Sequence, residues 1–199
     1  AFAGTEAQKG WTFNGQVTED GHYLIIWGYP GASAENRIYY KDLTAKDAPV
    51  VKLLDDSGVA QYFVGNDGPV LWFHTDRDAS HKKLIAIDIR TPEQKNWKTL
   101  VPEAKETLDS VTVVGDQFIT SYLKDAHRLV KLYDLKGTFV RELQLPGIGD
   151  AFGFTGRRKD KETFYAYTSF IVPTSIYRYD LTTGRSAVFR EPKMDFNAA

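Results

Sequence analysis

NRIYYKDL (36–43), KKLIAIDI (82–89), HRLVKLYDL (127–135) and TSIYRYDL (174–181) are four versions of one phrase. Their aspartates, Asp42, Asp88, Asp134 and Asp180, stand 46 residues apart at every step. A fixed interval of this size is the signature of a repeat architecture and has to be read before any single motif. Within each phrase an aliphatic residue lies four positions before the aspartate: Ile38, Leu84, Val130 and Ile176. After each aspartate comes Leu or Ile, then a turn-prone pair: Thr44-Ala45, Thr91-Pro92, Lys136-Gly137 and Thr183-Gly184. An aspartate at a strand end accepts hydrogen bonds from backbone N–H groups two residues on, so these four are expected to start turns.

Working outward, a strand-like run precedes each phrase: HYLIIWGY (22–29), VLWFHTD (70–76), QFITSYL (117–123) and TFYAYTSFI (163–171). Asp20-Gly21, Asp67-Gly68 and Gly115-Asp116 punctuate the chain before three of them, as hairpin turns do. Further upstream stand WTFNGQVT (11–18), QYFVG (61–65), VTVVG (111–115) and FGFTG (152–156). VVKLL (50–54), WKTLV (97–101), FVREL (139–143) and AVFRE (187–191) close each unit. Four short strands in about 46 residues is the content of one propeller blade. A β-sandwich also has closely spaced strands, but it would not repeat at one interval. The spacing therefore predicts an all-β chain of four consecutive four-stranded β-propeller blades, over about 11–54, 60–101, 110–145 and 151–191. Helical periodicity is absent, and 102–108 is expected to hold at most a short turn.

Composition narrows the function classes. Of 199 residues, 42% are hydrophobic and 14% aromatic, enough for a buried core and unlike a disordered chain. Lys and Arg number 25 against 26 Asp and Glu, so no global field draws in nucleic acid or an anionic membrane. No apolar run approaches the length of a membrane span. The N-terminal AFAGTEAQKGW lacks the regions of a signal peptide, which leaves cytoplasm and periplasm both open. With no cysteine, disulfides, thiol catalysis and cysteine-ligated zinc are excluded.

Catalytic patterns are scarce. No G-x-S-x-G nucleophile elbow occurs. Ser121, Asp125 and His127 in SYLKDAH have triad chemistry, but they read better as a polar hairpin. His74, Asp76 and Asp78 alternate in HTDRD and would share a strand face. They lack a fourth ligand, and a solvated hairpin tip is the simpler reading. GIGDAFG (147–153) misses the G-x-G-x-x-G spacing and leads into a strand. Arg157-Arg158-Lys159 sits beside Asp160 and Glu162, a mixed charged loop. Trp11, Trp27, Trp72 and Trp97 are expected to fill contacts between blades. No catalytic residue, metal or cofactor is expected in this segment.

Several runs are more particular than a generic propeller: EDGHYLIIWGYPG (19–31), ENRIYYKDL (35–43), NWKTLVPE (96–103), YTSFIVPTSIYRYDLTTG (167–184) and VFREP (188–192). From Trp11 to Pro192 the chain resembles the later half of the propeller of the prolyl oligopeptidase family. The resemblance implies blades four to seven of a seven-bladed ring. It also implies an α/β-hydrolase domain elsewhere in the parent chain as partner, bearing a Ser-Asp-His triad. Residues 192–199 would begin the linker toward that domain. The implied role is size exclusion in an enzyme that cleaves short peptides after proline, with this segment inactive by itself. Gapless matching of the first blade implies a substrate-facing wall at Thr12, Phe13, Tyr29 and Ala32, with Tyr29 foremost. At Thr12 and Ala32 the family often carries larger or sulfur-containing residues, so the sequence departs from it there. A free-standing propeller that binds a protein partner is the competing reading.

Overall fold

The computed structural model describes residues 8–192. Among these residues sixteen strands form four sheets, each antiparallel and each in sequential order. The first holds β1 (Trp11–Val17), β2 (Tyr23–Pro30), β3 (Arg37–Asp42) and β4 (Val50–Leu54). The second holds β5 (Gln61–Asp67), β6 (Val70–Thr75), β7 (Lys83–Asp88) and β8 (Lys98–Val101). In the third are β9 (Thr107–Val114), β10 (Gln117–Lys124), β11 (His127–Asp134) and β12 (Phe139–Glu142). The fourth comprises β13 (Asp150–Thr155), β14 (Glu162–Thr168), β15 (Ser175–Asp180) and β16 (Arg185–Arg190). The chain divides into two compact units, Ala1–Pro102 and Glu103–Ala199, so each unit contains two sheets. The turn allowed at 102–108 is not there. Thr107 is already in β9, and a 3₁₀ turn falls instead at Gln94–Asn96.

Each of the four repeat aspartates ends its strand and accepts a hydrogen bond from the backbone two residues on. Thr44 N–H reaches Asp42 at 2.8 Å, Arg90 reaches Asp88 at 3.0 Å, Lys136 reaches Asp134 at 2.9 Å and Thr182 reaches Asp180 at 2.9 Å. The same bonds favour the ionised carboxylate. All four carboxyls are held below their usual range, Asp88 to about 2 chiefly through the Arg90 side chain.

Alternation along the strands builds the cores. In the first unit Ile25, Ile38 and Leu54 of one sheet meet Leu71, Phe73, Ile85 and Ile87 of the next. In the second, Val114, Ile119, Val130, Leu132 and Leu143 meet Phe154, Tyr165, Tyr167, Tyr179 and Leu181. Ile38 and Val130, four residues before their aspartates, thus face the following sheet. Ile176, the equivalent in β15, pairs with Ala166 on the face turned away from the third sheet, and is half-buried. The aromatics of the fourth sheet divide by the same rule. Phe154, Tyr165, Tyr167 and Tyr179 are buried and Tyr177 packs beside them, while Phe152 is 47% exposed on the other face.

Within the first unit side-chain amides tie the two sheets together: Asn66 of β5 donates to Asp20 at 2.7 Å, and Asn36 makes the more buried link. Asn36, fully buried, precedes β3 and lies against the first residue of β5. Its Nδ2 donates to the Gln61 carbonyl at 2.7 Å, and its Oδ1 accepts from the Gln61 N–H at 3.1 Å. The amide therefore acts as a piece of extra strand. In the second unit Arg128 has the equivalent position: its side chain bonds Asp150 at 2.8 Å and Asp109 at 2.5 Å.

Candidate substrate-facing site

Antiparallel register decides which of the four expected wall residues act together. Thr12 pairs with Tyr29, Asn14 with Trp27 and Gln16 with Ile25. Directly opposed residues share a face, so Thr12 and Tyr29 project side by side toward the second sheet. Phe13 projects the other way, opposite Gly28. A Cβ at Gly28 would lie 2.6 Å from the Phe13 ring and 3.1 Å from Trp11, which is why glycine stands there. Phe13 stacks on Trp11 at 6.1 Å, and the Arg37 guanidinium lies 5.8 Å from the Trp11 ring. Ala32 is exposed in the loop between β2 and β3. The structure brings Thr12 and Tyr29 together, sets Phe13 on the opposite face, and leaves Ala32 on the connecting loop.

Tyr29 lines a cleft of about 170 Å³ between the two sheets, with Gln16, Trp27, Gln61, Tyr62 and Phe63. Gln61 is 1% exposed and held through its backbone by Asn36. Tyr62 is 38% exposed. Its ring lies 5.8 Å from His74 and 5.8 Å from the Lys82 ammonium. Burial raises the Tyr62 phenol above its ordinary pKa, with Tyr29 and Asp76 adding to the effect, so it stays a neutral donor and acceptor. The β5 contribution to this site is missed by sequence reasoning, because nothing in QYFVG shows that Gln61 meets a loop 25 residues upstream.

The opposite end of the same sheets carries a larger cavity of about 430 Å³, bordered by Tyr23, Tyr40, Asp42, Pro49, Pro69 and Arg90. Tyr23 and Tyr40 meet edge-on at 6.2 Å. Its charged groups are already engaged, Asp42 by Thr44 and Arg90 by Asp88 at 2.6 Å. That leaves tyrosine hydroxyls and apolar walls, a surface for contact rather than for bond making.

The triad-like residues of SYLKDAH are spread along one hairpin. Lys124 pairs with His127, so Asp125 and Ala126 form its two-residue tip, both at positive φ. Ser121, buried in β10, pairs with Val130, three residues from His127 and so about 10 Å along the strand. His74 is buried in β6 against Tyr62. Asp76 lies beyond the strand and accepts from the Ala60 N–H at 2.9 Å, and Asp78 sits at positive φ. No group of three His, Asp or Glu among the described residues is arranged to hold a metal. No helix among them is long and apolar enough to cross a membrane.

Four sequential four-stranded sheets at one interval suit many propellers, and comparison with known proteins decides among them. The profile of the prolyl oligopeptidase N-terminal β-propeller domain matches residues 2–192. The chain belongs to this family. It is 38% identical over 184 residues to a prolyl endopeptidase of Elizabethkingia meningoseptica, covering 91% of this chain and 25% of that protein. A dual function macrocyclase-peptidase of Amanita bisporigera is 28% identical over 194 residues, covering 93% of the chain and 26% of the relative. Among solved structures, a prolyl endopeptidase superposes with a TM-score of 0.87 at 30% identity, covering 95% of this chain and 28% of that one. Prolyl oligopeptidase B of Galerina marginata, at 24% identity and a TM-score of 0.85, shares the fold. The chain spans about a quarter of the length of these prolyl oligopeptidases.

Proposed function

We propose that this chain is a substrate-gating, size-excluding segment of a proline-specific serine oligopeptidase that cleaves short peptides after proline. Bond cleavage belongs to an α/β-hydrolase domain elsewhere in the parent chain, and the 199-residue segment alone is inactive. The observation that carries the reading is the pairing of Thr12 with Tyr29 at one end of the first unit, in a chain of this family. Tyr29 and Trp27 line the cleft between the two sheets of that unit. Hydrolysis in a water-excluding site requires that only short, extendable chains enter. A ring of seven such blades standing over the triad would impose that limit by its width.

The expected behaviour is a length cut-off. In the full-length peptidase, kcat/KM for a ladder of proline-containing peptides should hold for short members and collapse once the peptide outgrows the cavity. Cleavage of an unstructured protein as readily as of a pentapeptide would overturn the proposal.

A further inference from the structure

The Gln61 side chain is not accounted for by the fold. Its main chain is fully engaged by Asn36. Yet its carboxamide Nε2 and Oε1 are buried and make no hydrogen bond within the protein. Burying an amide without partners is costly, and such a group in a well-packed region calls for an explanation. Gln61 and Phe63 alternate onto one face of β5, and Phe63 packs on the core between the two sheets. The carboxamide therefore points to the side where Trp27 and Tyr29 stand. It forms the floor of the cleft that these residues line with Gln16 and Tyr62.

From this we infer that the cleft is a subsite for an amide group of a bound peptide, recognised by the Gln61 carboxamide. Only a ligand that both donates and accepts satisfies Nε2 and Oε1 together, and an amide does so in one plane. The volume of about 170 Å³ is below the 300 Å³ or so of pockets that hold a whole small molecule. It suits one amide and the stem that carries it. Trp27 and Tyr29 supply flat apolar sides for that stem. Tyr62 and Gln16 are the exposed members of the lining, so the cleft opens to solvent on their side. The amide comes either from the peptide backbone or from an Asn or Gln side chain. This inference rests on the peptide-handling role proposed above and gives that role a specificity.

Direct titration of the chain tests it. The side-chain NH₂ signals of Gln61 are followed by NMR while acetyl-Gly-Gln-Pro amide is added, and in parallel the same peptide with norleucine in place of Gln. A saturable shift with either peptide is expected, with Gln61→Met weakening binding about tenfold. Backbone signals of Asn36 and Gln61 report whether that variant keeps its fold. Equal binding of both peptides assigns the site to the peptide backbone, and preference for the Gln peptide assigns it to a side-chain amide. No saturable shift with either peptide at millimolar concentration overturns the inference, as does unchanged affinity in a folded Gln61→Met. Saturable binding without any length cut-off in the full-length enzyme would remove the gating role and leave the subsite standing. The reverse pair of results would remove the subsite alone.

Discussion

Replacing Asn36 by Ala should open the seam between the first two sheets, and the structure gives the size of the effect. Asn36 is 0% exposed and Gln61 is 1% exposed, so water does not replace what is lost. The substitution removes two hydrogen bonds, at 2.7 Å and 3.1 Å, and leaves a buried N–H and a buried C=O unsatisfied. Each such group costs about 1–3 kcal/mol, which puts the total at about 2–6 kcal/mol before relaxation. Asn36→Asp sharpens the test. It keeps an acceptor for the Gln61 N–H but sets a second oxygen against the Gln61 carbonyl, so it should be at least as damaging as Ala despite its near-identical shape. The assay is hydrogen exchange at the Gln61 amide, read with urea unfolding of the chain. Protection at Gln61 should fall in both variants, with a lower urea midpoint. A midpoint and a Gln61 protection factor unchanged in Asn36→Ala would refute the idea that this amide joins the sheets.

Two further outcomes follow from the same geometry. Gly115 has φ +59°, and an added Cβ would lie 2.6 Å from the Asp160 carbonyl oxygen and 2.6 Å from Leu181. Gly115→Ala should therefore cost about 2–4 kcal/mol in thermal or urea unfolding, combining backbone strain with overpacking, and wild-type stability would contradict this. The Asp88 carboxyl, held at about 2 chiefly by the Arg90 side chain, titrates lower in the folded than in the unfolded chain. Its contribution is thus present above about pH 4 and is lost as pH falls through about 2. Asp88→Asn should flatten that part of the acid-unfolding curve, and an identical acid limb would count against the turn bond.

Much of the fold was legible because a propeller blade is a local object. Each hairpin is decided by its own alternation and turn residues, and Asp42, Asp88, Asp134 and Asp180 mark the same turn four times. Strand ends moved where neighbours mattered: β9 begins at Thr107, four residues before VTVVG, because β10 is long enough to pair back to it. The site was less legible. Tyr29 and Thr12 are candidates only through resemblance, and register then separated Phe13 from them, which period-two alternation already implied. Asn36 and Gln61 escaped for a different reason. Six residues before their aspartates stand Asn36 in the first sheet and Arg128 in the third, so the side chain that joins the two sheets of a unit changes chemistry from one unit to the other. Periodicity detects sameness, and this contact has none.

The central claim is that these sheets select peptides by what extends from the proline site. Tyr29→Ala in the full-length peptidase tests it most directly, measured as KM and kcat on peptides lengthened stepwise on the N-terminal side of proline. A lost aromatic contact is worth about 0.5–1.5 kcal/mol, or roughly two- to twelvefold. The account predicts a rise in KM of that size for the extended peptides, with the shortest substrate nearly unaffected and kcat unchanged. An equal loss on every substrate, shortest included, would contradict it.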